Sequence, residues 1–245
     1  MAAPSRAAGR HDGAAGVRPA GGSRRLKQRV RTARRRKPAS TRWLQRQVND
    51  PYVARAQAEG YRSRSAFKLA EIDEAHHILK PGMRVVDLGA APGGWSQIAA
   101  ERVGARDGQG TVVAVDLQDI EAIAGVTVLK CDFLADAAPA AIRAAAGGPA
   151  DVVLSDMAPA TTGHRPTDHL RIMALAEAAL DFARDVLRPG GSFLAKVFQG
   201  GTEAELLAAM KRDFAKVRHV KPKASRSDSA ELFVLATGFR GAGRN

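Results

Sequence analysis

Asp87-Leu-Gly-Ala-Ala-Pro-Gly-Gly-Trp95 is the segment whose residue types most restrict the chemistry open to this chain. Glycines let a backbone approach a ligand closely and adopt turns closed to other residues. Pro92 breaks the Gly-x-Gly-x-x-Gly spacing that cradles a dinucleotide pyrophosphate, and no hydride-transfer site accompanies the turn, so a nicotinamide oxidoreductase is disfavoured. Asp116 follows 22 residues after Gly94, a distance at which a carboxylate can accept both hydroxyls of a ribose. Asp132 follows again, placed to meet an adenine amino group. Any one of these acids is equally a turn or cap residue. Acids at successive strand ends beside a glycine turn describe a nucleoside site without a phosphate cradle, and S-adenosylmethionine is a ligand of that kind.

Such a site needs a sheet whose strands end side by side. Short β-branched runs at Arg84–Leu88, Thr111–Asp116, Val126–Lys130, Asp151–Ser155 and Ser192–Phe198 read as strands, near-continuous in apolar residues as strands buried on both faces are. Helical patterns fall at Ser65–Leu79, Trp95–Val103, Ala137–Ala146, Thr167–Leu187 and Thr202–Phe214. Alternating elements of this kind predict an α/β fold, a Rossmann-like, doubly wound, mostly parallel sheet. Two last strands, Val217–Lys221 and Glu231–Thr237, are joined too tightly for a crossover helix and should form an antiparallel hairpin. Ligands of such sheets bind beyond the carboxyl ends of the strands, where the glycine turn, Asp116 and Asp132 all fall.

The net charge of +13 belongs to one region. Residues 1–47 carry 14 Lys or Arg against a single acid, Asp12, and the remainder balances. With few large apolar residues, segment 1–40 is expected to be a disordered basic arm and 41–245 the folded domain. The run Arg24 to Lys37 suits phosphate backbones. A solvated tail and a transit peptide are the other readings of the arm, the latter weakened by its lack of leucines and aromatics. No apolar region fits a secretory signal, and no stretch approaches the ~18 apolar residues of a membrane span. The single cysteine, Cys131, excludes an internal disulfide and fits a reducing compartment, so a cytoplasmic protein without membrane attachment is expected. The six histidines lack a convincing ligand set, and no metal site is expected. A monomer is expected because no amphipathic segment is left over.

The Asp87–Gln97 segment, Val-Leu-Ser-Asp-Met-Ala-Pro at 153–159 and Gly-Gly-Ser-Phe-Leu-Ala-Lys-Val-Phe-Gln at 190–199 resemble the FtsJ/RlmE family of ribosomal RNA ribose 2′-O-methyltransferases. So does the leading segment from Trp43 to Lys68, and the likeness runs from about Thr41 to Gly238. It implies a class I methyltransferase fold, S-adenosylmethionine as methyl donor, and a uridine of the large-subunit ribosomal RNA as acceptor. The family's catalytic Lys-Asp-Lys-Glu set maps onto Lys68, Asp156, Lys196 and Glu231, and its donor-site residues onto Gly93, Trp95, Asp116, Asp132 and Asp156. Trp95, which opens a helix, is also a candidate for core packing. The strand assignments agree with convergence of the four: Asp156 and Lys196 end parallel strands, and Glu231 begins an antiparallel one. A lysine within Phe193–Phe198 is costly to bury unless paired. In this reading Lys196 orients and deprotonates the ribose hydroxyl, while Lys68 lowers its pKa and the two acids raise it, with the net sign open. Arg62, Arg64, Lys221, Lys223 and Arg226 are candidate phosphate contacts, Tyr52 and Tyr61 candidate base platforms. The loop Thr161–Asp168, with His164 and Arg165, and the long basic arm depart from the family pattern. A transfer RNA substrate and a non-catalytic RNA-binding protein are the rival readings.

Overall fold

In the computed structural model, residues 38–159, 162–198, 204–227 and 229–241 are described. The basic arm to Lys37, Thr161 and the side chain of Arg165 lie outside the described residues. The chain divides into two units, Met1–Asn49 and Asp50–Asn245. Of the first, the described part is helix α1 (Pro38–Val48), after which the Asn49 amide donates to the carbonyl of Gln45 at 2.7 Å.

The second unit opens with α2 (Pro51–Glu59), which the sequence reading had not assigned although its punctuation is complete. The Asp50 side chain caps it by accepting from the Tyr52 N–H, Pro51 fits the first turn, and Gly60 closes it in a left-handed conformation. Helix α3 (Ala66–His76) follows, then β1 (Arg84–Leu88), α4 (Gly94–Val103), β2 (Thr111–Asp116), β3 (Val126–Lys130), α5 (Ala138–Ala145), β4 (Ala150–Ser155), α6 (Arg165–Val186), β5 (Leu187–Phe198), α7 (Ala204–Asp213), β6 (Phe214–Val220) and β7 (Glu231–Phe239). The first four strands stand within one residue of expectation. Strand β5 starts five residues earlier than expected, and β6 begins at Phe214, which the sequence pattern had assigned to the preceding helix. Phe214 is buried against Phe193 and Phe239; tertiary packing, absent from local periodicity, makes it a strand residue.

The strands form one sheet in the order β3-β2-β1-β4-β5-β7-β6, with β7 antiparallel to both neighbours and the other pairings parallel. The expected doubly wound sheet and antiparallel hairpin are both present, with β7 inserted between β5 and β6. Helices α3 and α4 pack on one face through Leu69, Ile72, Ile98 and Val103, and α5, α6 and α7 on the other through Ile142, Leu180 and Met210. Strand order reverses between β1 and β4, so a crevice opens beyond their carboxyl ends. Among the described residues, no helix is long and apolar enough to cross a membrane.

Candidate active site

Four ionisable side chains from four elements meet at the carboxyl edge of the sheet. Side chains alternate across a strand, so in β5 Leu194 and Lys196 face the α3–α4 layer while Ala195 and Val197 face the other core. Strand β7 pairs with Lys196 opposite Phe233 and Phe198 opposite Glu231, which sets Glu231 at the same edge. Helix α3 supplies Lys68, only 8% exposed, above the Phe233 ring at 5.7 Å. Asp156 follows β4 directly.

Charges alternate around the cluster. Lys68 Nζ lies 2.6 Å from Glu231 Oε2 and 4.0 Å from Asp156 Oδ2. Lys196 Nζ lies 2.6 Å from Asp156 Oδ1 and 3.7 Å from Glu231 Oε2. The Lys196–Asp156 contact is an ion pair without aligned hydrogen-bond geometry, and Lys196 donates instead to the Asp156 carbonyl at 3.0 Å. Ser225, buried in the β6–β7 loop, donates to Glu231 Oε1 at 2.8 Å. Two cations and two anions thus share a site in which a lone charge could not persist.

Burial pushes the Lys196 ammonium towards losing its proton, but the Asp156 and Glu231 charges outweigh it and hold the pKa above the ordinary lysine value. Burial raises the Glu231 carboxyl, and Lys68 and Lys196 together overturn that, leaving it below the usual carboxylate range. The sign left open by the sequence is therefore decided: in the resting protein Lys196 is a firmly held ammonium.

Next to this cluster, and sharing Asp156 with it, is a cleft of about 610 Å³ lined among others by Gly89, Asp116, Asp132, Phe133, Met157 and Leu175. Gly89 has φ of +70°, and a Cβ there would collide with Met157. Asp116 accepts from the Ala91 N–H at 2.9 Å and from the Gln118 N–H at 2.8 Å, fastening both loops that edge the cleft. Asp132 is exposed and accepts from the Leu134 N–H at 3.0 Å. The cleft's volume and two strand-end carboxylates suit the nucleoside part of a sulfonium donor, with no lysine or arginine among the described residues lining it to hold phosphates.

Of the sequence-assigned donor residues, Asp116, Asp132 and Asp156 line the cleft. Gly93 caps α4 at the far side of the glycine turn, with φ of +110°. Trp95 is buried in the core, its indole N–H donating to the Ser65 carbonyl at 2.9 Å and its ring 5.5 Å from that of Phe233. Most candidate phosphate contacts are engaged within the protein. Arg64 and Arg226 converge on Asp50, Lys221 donates to the Ser229 carbonyl, Arg62 binds three carbonyls, and Lys223 stands exposed. Tyr52 and Tyr61 pack against Phe67. Among the described residues no group of histidine, cysteine and acids is arranged to hold a metal.

Asp87 opens the glycine-rich motif, and its type and spacing alone give it no role. It is 1% exposed, accepts from the Ser96 hydroxyl at 2.6 Å, and its second oxygen is buried without a hydrogen bond. Burial drives its pKa up, Ser96 opposes this, and the charges of Asp156 and Asp116 add to the rise, to about 7. An acid inside the otherwise apolar Val85–Leu88 was the available signal.

A crevice at the reversal of a doubly wound sheet, a nucleoside-sized cleft and an adjoining charged cluster define an S-adenosylmethionine-dependent methyltransferase of class I. Residues 61–239 match the family described as FtsJ-like methyltransferase. The ribosomal RNA large subunit methyltransferase E of Azorhizobium caulinodans is 63% identical over 220 residues, 90% of this chain and 92% of its own. That of Paramagnetospirillum magneticum is 62% identical over 229 residues, 93% and 94% respectively. A crystal structure from Plasmodium falciparum, described as a ribosomal RNA methyltransferase, shares 25% identity with a TM-score of 0.66, covering 74% of this chain and all of that one. The chain belongs to the FtsJ-like methyltransferase family.

Proposed function

We propose that this protein methylates the 2′-hydroxyl of a uridine ribose in large-subunit ribosomal RNA, with Lys68, Asp156, Lys196 and Glu231 as its catalytic residues. One observation carries the reading: the four side chains from separate elements form an alternating charge cluster that borders the nucleoside-sized cleft through Asp156. The names of the relatives add the acceptor, large-subunit ribosomal RNA. Gly93 and Trp95 serve the donor site through main chain at the start of α4, since the Trp95 side chain is turned into the core. Asp116 and Asp132 take the donor's polar groups.

When bound, S-adenosylmethionine supplies an activated methyl on a cationic sulfur, so positioning provides much of the acceleration. Lys196 points its Nζ at the shared edge and orients the ribose hydroxyl. Asp156 lines both cleft and cluster, so a cation bound in the cleft draws on the same carboxylate and loosens its hold on the Lys196 proton. Lys196 first passes its proton to solvent, and the neutral amine then accepts the hydroxyl proton as the oxygen attacks. Lys68 holds Glu231 at 2.6 Å and keeps it ionised. The basic arm, 1–40, joins domain 41–245 to the RNA by phosphate attraction, which predicts a steep salt dependence. The protein acts as a monomer in the cytoplasm.

The test is transfer of labelled methyl groups to large ribosomal subunits lacking ribose methylation. Wild type should label the large-subunit RNA, and Lys196→Ala should lose about 10²–10⁴-fold in kcat while binding S-adenosylhomocysteine normally. Near-normal transfer by the variant would remove Lys196 from the mechanism, and labelling of transfer RNA instead would change the substrate.

A further inference from the structure

Arg62 precedes the catalytic helix α3 and lies in a stretch of alternating arginines and serines, Arg62 to Ser65, of the kind that invites a phosphate role. Its guanidinium is otherwise occupied. Nη1 donates to the carbonyls of Pro92 at 3.1 Å and Glu121 at 2.7 Å, and Nη2 to that of Ala122 at 2.8 Å. Pro92 belongs to the glycine turn after β1, and Glu121 and Ala122 to the loop between β2 and β3. These two loops edge the cleft: Gly89 and Ala91 line it from the first, Leu117 and Gln118 from the second. The Arg62 N–H also donates to the Gln97 side-chain oxygen at 2.9 Å, which fixes the arginine's own backbone to α4.

The second loop has little else to hold it. Residues 117–119 and 121–122 are exposed, and Ile123 is its buried anchor. Ile123 and the Arg62 side chain both press on the space above Gly93, where a Cβ would strike them. The loop's remaining fastenings among the described residues are the Gln118 N–H on the Asp116 carboxylate at 2.8 Å, the Val126 N–H on the Ile123 carbonyl at 3.0 Å and the solvent-exposed pair Lys130–Asp119 at 2.8 Å, the last of which contributes little. Carbonyls that face one another across two loops repel unless a cation or donor lies between them. A planar guanidinium has the fixed fork to serve three at once, and an ammonium does not.

We propose that Arg62 is a positioning residue of the methyl-donor site, a clip that closes the β2–β3 loop onto the glycine turn and so sets the shape of the cleft around Asp116. This rests on the cleft being the donor site. Because Arg62 lies six residues before Lys68 on the same segment, the clip also ties the donor loops to the catalytic helix. Its charge is spent on carbonyls and is withheld from RNA phosphates.

Full-length Arg62→Ala, Arg62→Lys and Asp116→Ala would be compared for S-adenosylhomocysteine affinity by calorimetry and for KM and kcat towards donor and RNA. Arg62→Ala should raise the donor Kd and KM about tenfold while the RNA KM and its salt slope hold steady. Arg62→Lys should fail to restore the donor affinity. Amide hydrogen exchange in each Arg62 variant should quicken across 117–125 and leave β1, β2 and β4 unchanged; acceleration throughout the sheet overturns the clip. A rise in RNA KM with a shallower salt slope, rescued by lysine, makes Arg62 a phosphate ligand and overturns it as well. Normal S-adenosylhomocysteine affinity in Arg62→Ala alone defeats the clip, whereas normal affinity in both Arg62→Ala and Asp116→Ala defeats the reading of the cleft and the clip with it.

Discussion

The charged cluster and the cleft proposed for the donor share Asp156 yet are built on opposite terms. The cluster stands on β5, β7, α3 and the end of β4, and each of its charges is satisfied by another side chain. The cleft is edged by loops, and its carboxylates are spent on main-chain N–H groups of those loops. Strand register places Lys196 and Glu231 of the first, and helix α3 and the end of β4 bring Lys68 and Asp156 to them. The second is held by a few hydrogen bonds that a ligand can rearrange. Chemistry that depends on a lysine's proton calls for the rigid half, and exchange of donor for spent product calls for the yielding half.

Removing one member of the rigid half should have the largest effect. Glu231→Ala leaves Lys68 buried beside a weak partner 4.0 Å away and should cost about 3–5 kcal/mol in unfolding free energy as well as most of the activity. The double variant Lys68→Met/Glu231→Leu should recover much of that stability and none of the turnover. Recovery of both would mean that the cluster is a structural pair outside the reaction.

Asp87, beneath both halves, should give the next largest signal. Folded, it keeps its proton up to about pH 7, whereas an unfolded aspartate loses its proton near ~4. The folded state binds more protons between those limits, so this stability is full below pH 4 and is lost as pH rises through 7. Urea unfolding of Asp87→Asn and wild type at pH 5 and pH 8 should show the difference shifting towards the variant, by roughly 2–3 kcal/mol. A constant difference would show that Asp87 is ionised throughout.

Asp116→Ala should weaken S-adenosylhomocysteine by about tenfold, or ~1.4 kcal/mol, with kcat at saturating donor within a few-fold of wild type. A collapse in kcat at saturation would mean that the cleft wall also positions the reacting groups. Ser225→Ala should have the smallest effect, about 1 kcal/mol for one neutral hydrogen bond. Its loss removes one influence that keeps the Glu231 pKa low, so the acid limb of kcat should move to higher pH. An unmoved acid limb would free Glu231 from the β6–β7 loop.

Legibility in the sequence followed the same division. Strands β1 to β4 could be placed almost to the residue because a strand buried on both faces must be apolar along its whole length. Helix α2 was missed although Asp50, Pro51 and Gly60 punctuate it, since its middle is too polar to show a core-facing stripe. Lys196 stood out as a charge within Phe193–Phe198. Arg62 read as a phosphate contact and Ser225 drew no reading, because their partners lie 30 to 60 residues away or across a loop.

The sequence by itself determined the alternation of strands and helices, the glycine turn and the strand-end acids, since each is written in local composition or spacing; the four ionisable residues of the cluster came through the resemblance to a family. Only the tertiary structure decided that β7 lies between β5 and β6, that Trp95 belongs to the core, and that Lys196 rests as an ammonium. Each of those depends on burial and on the distance between charges far apart in the chain, which periodicity does not encode.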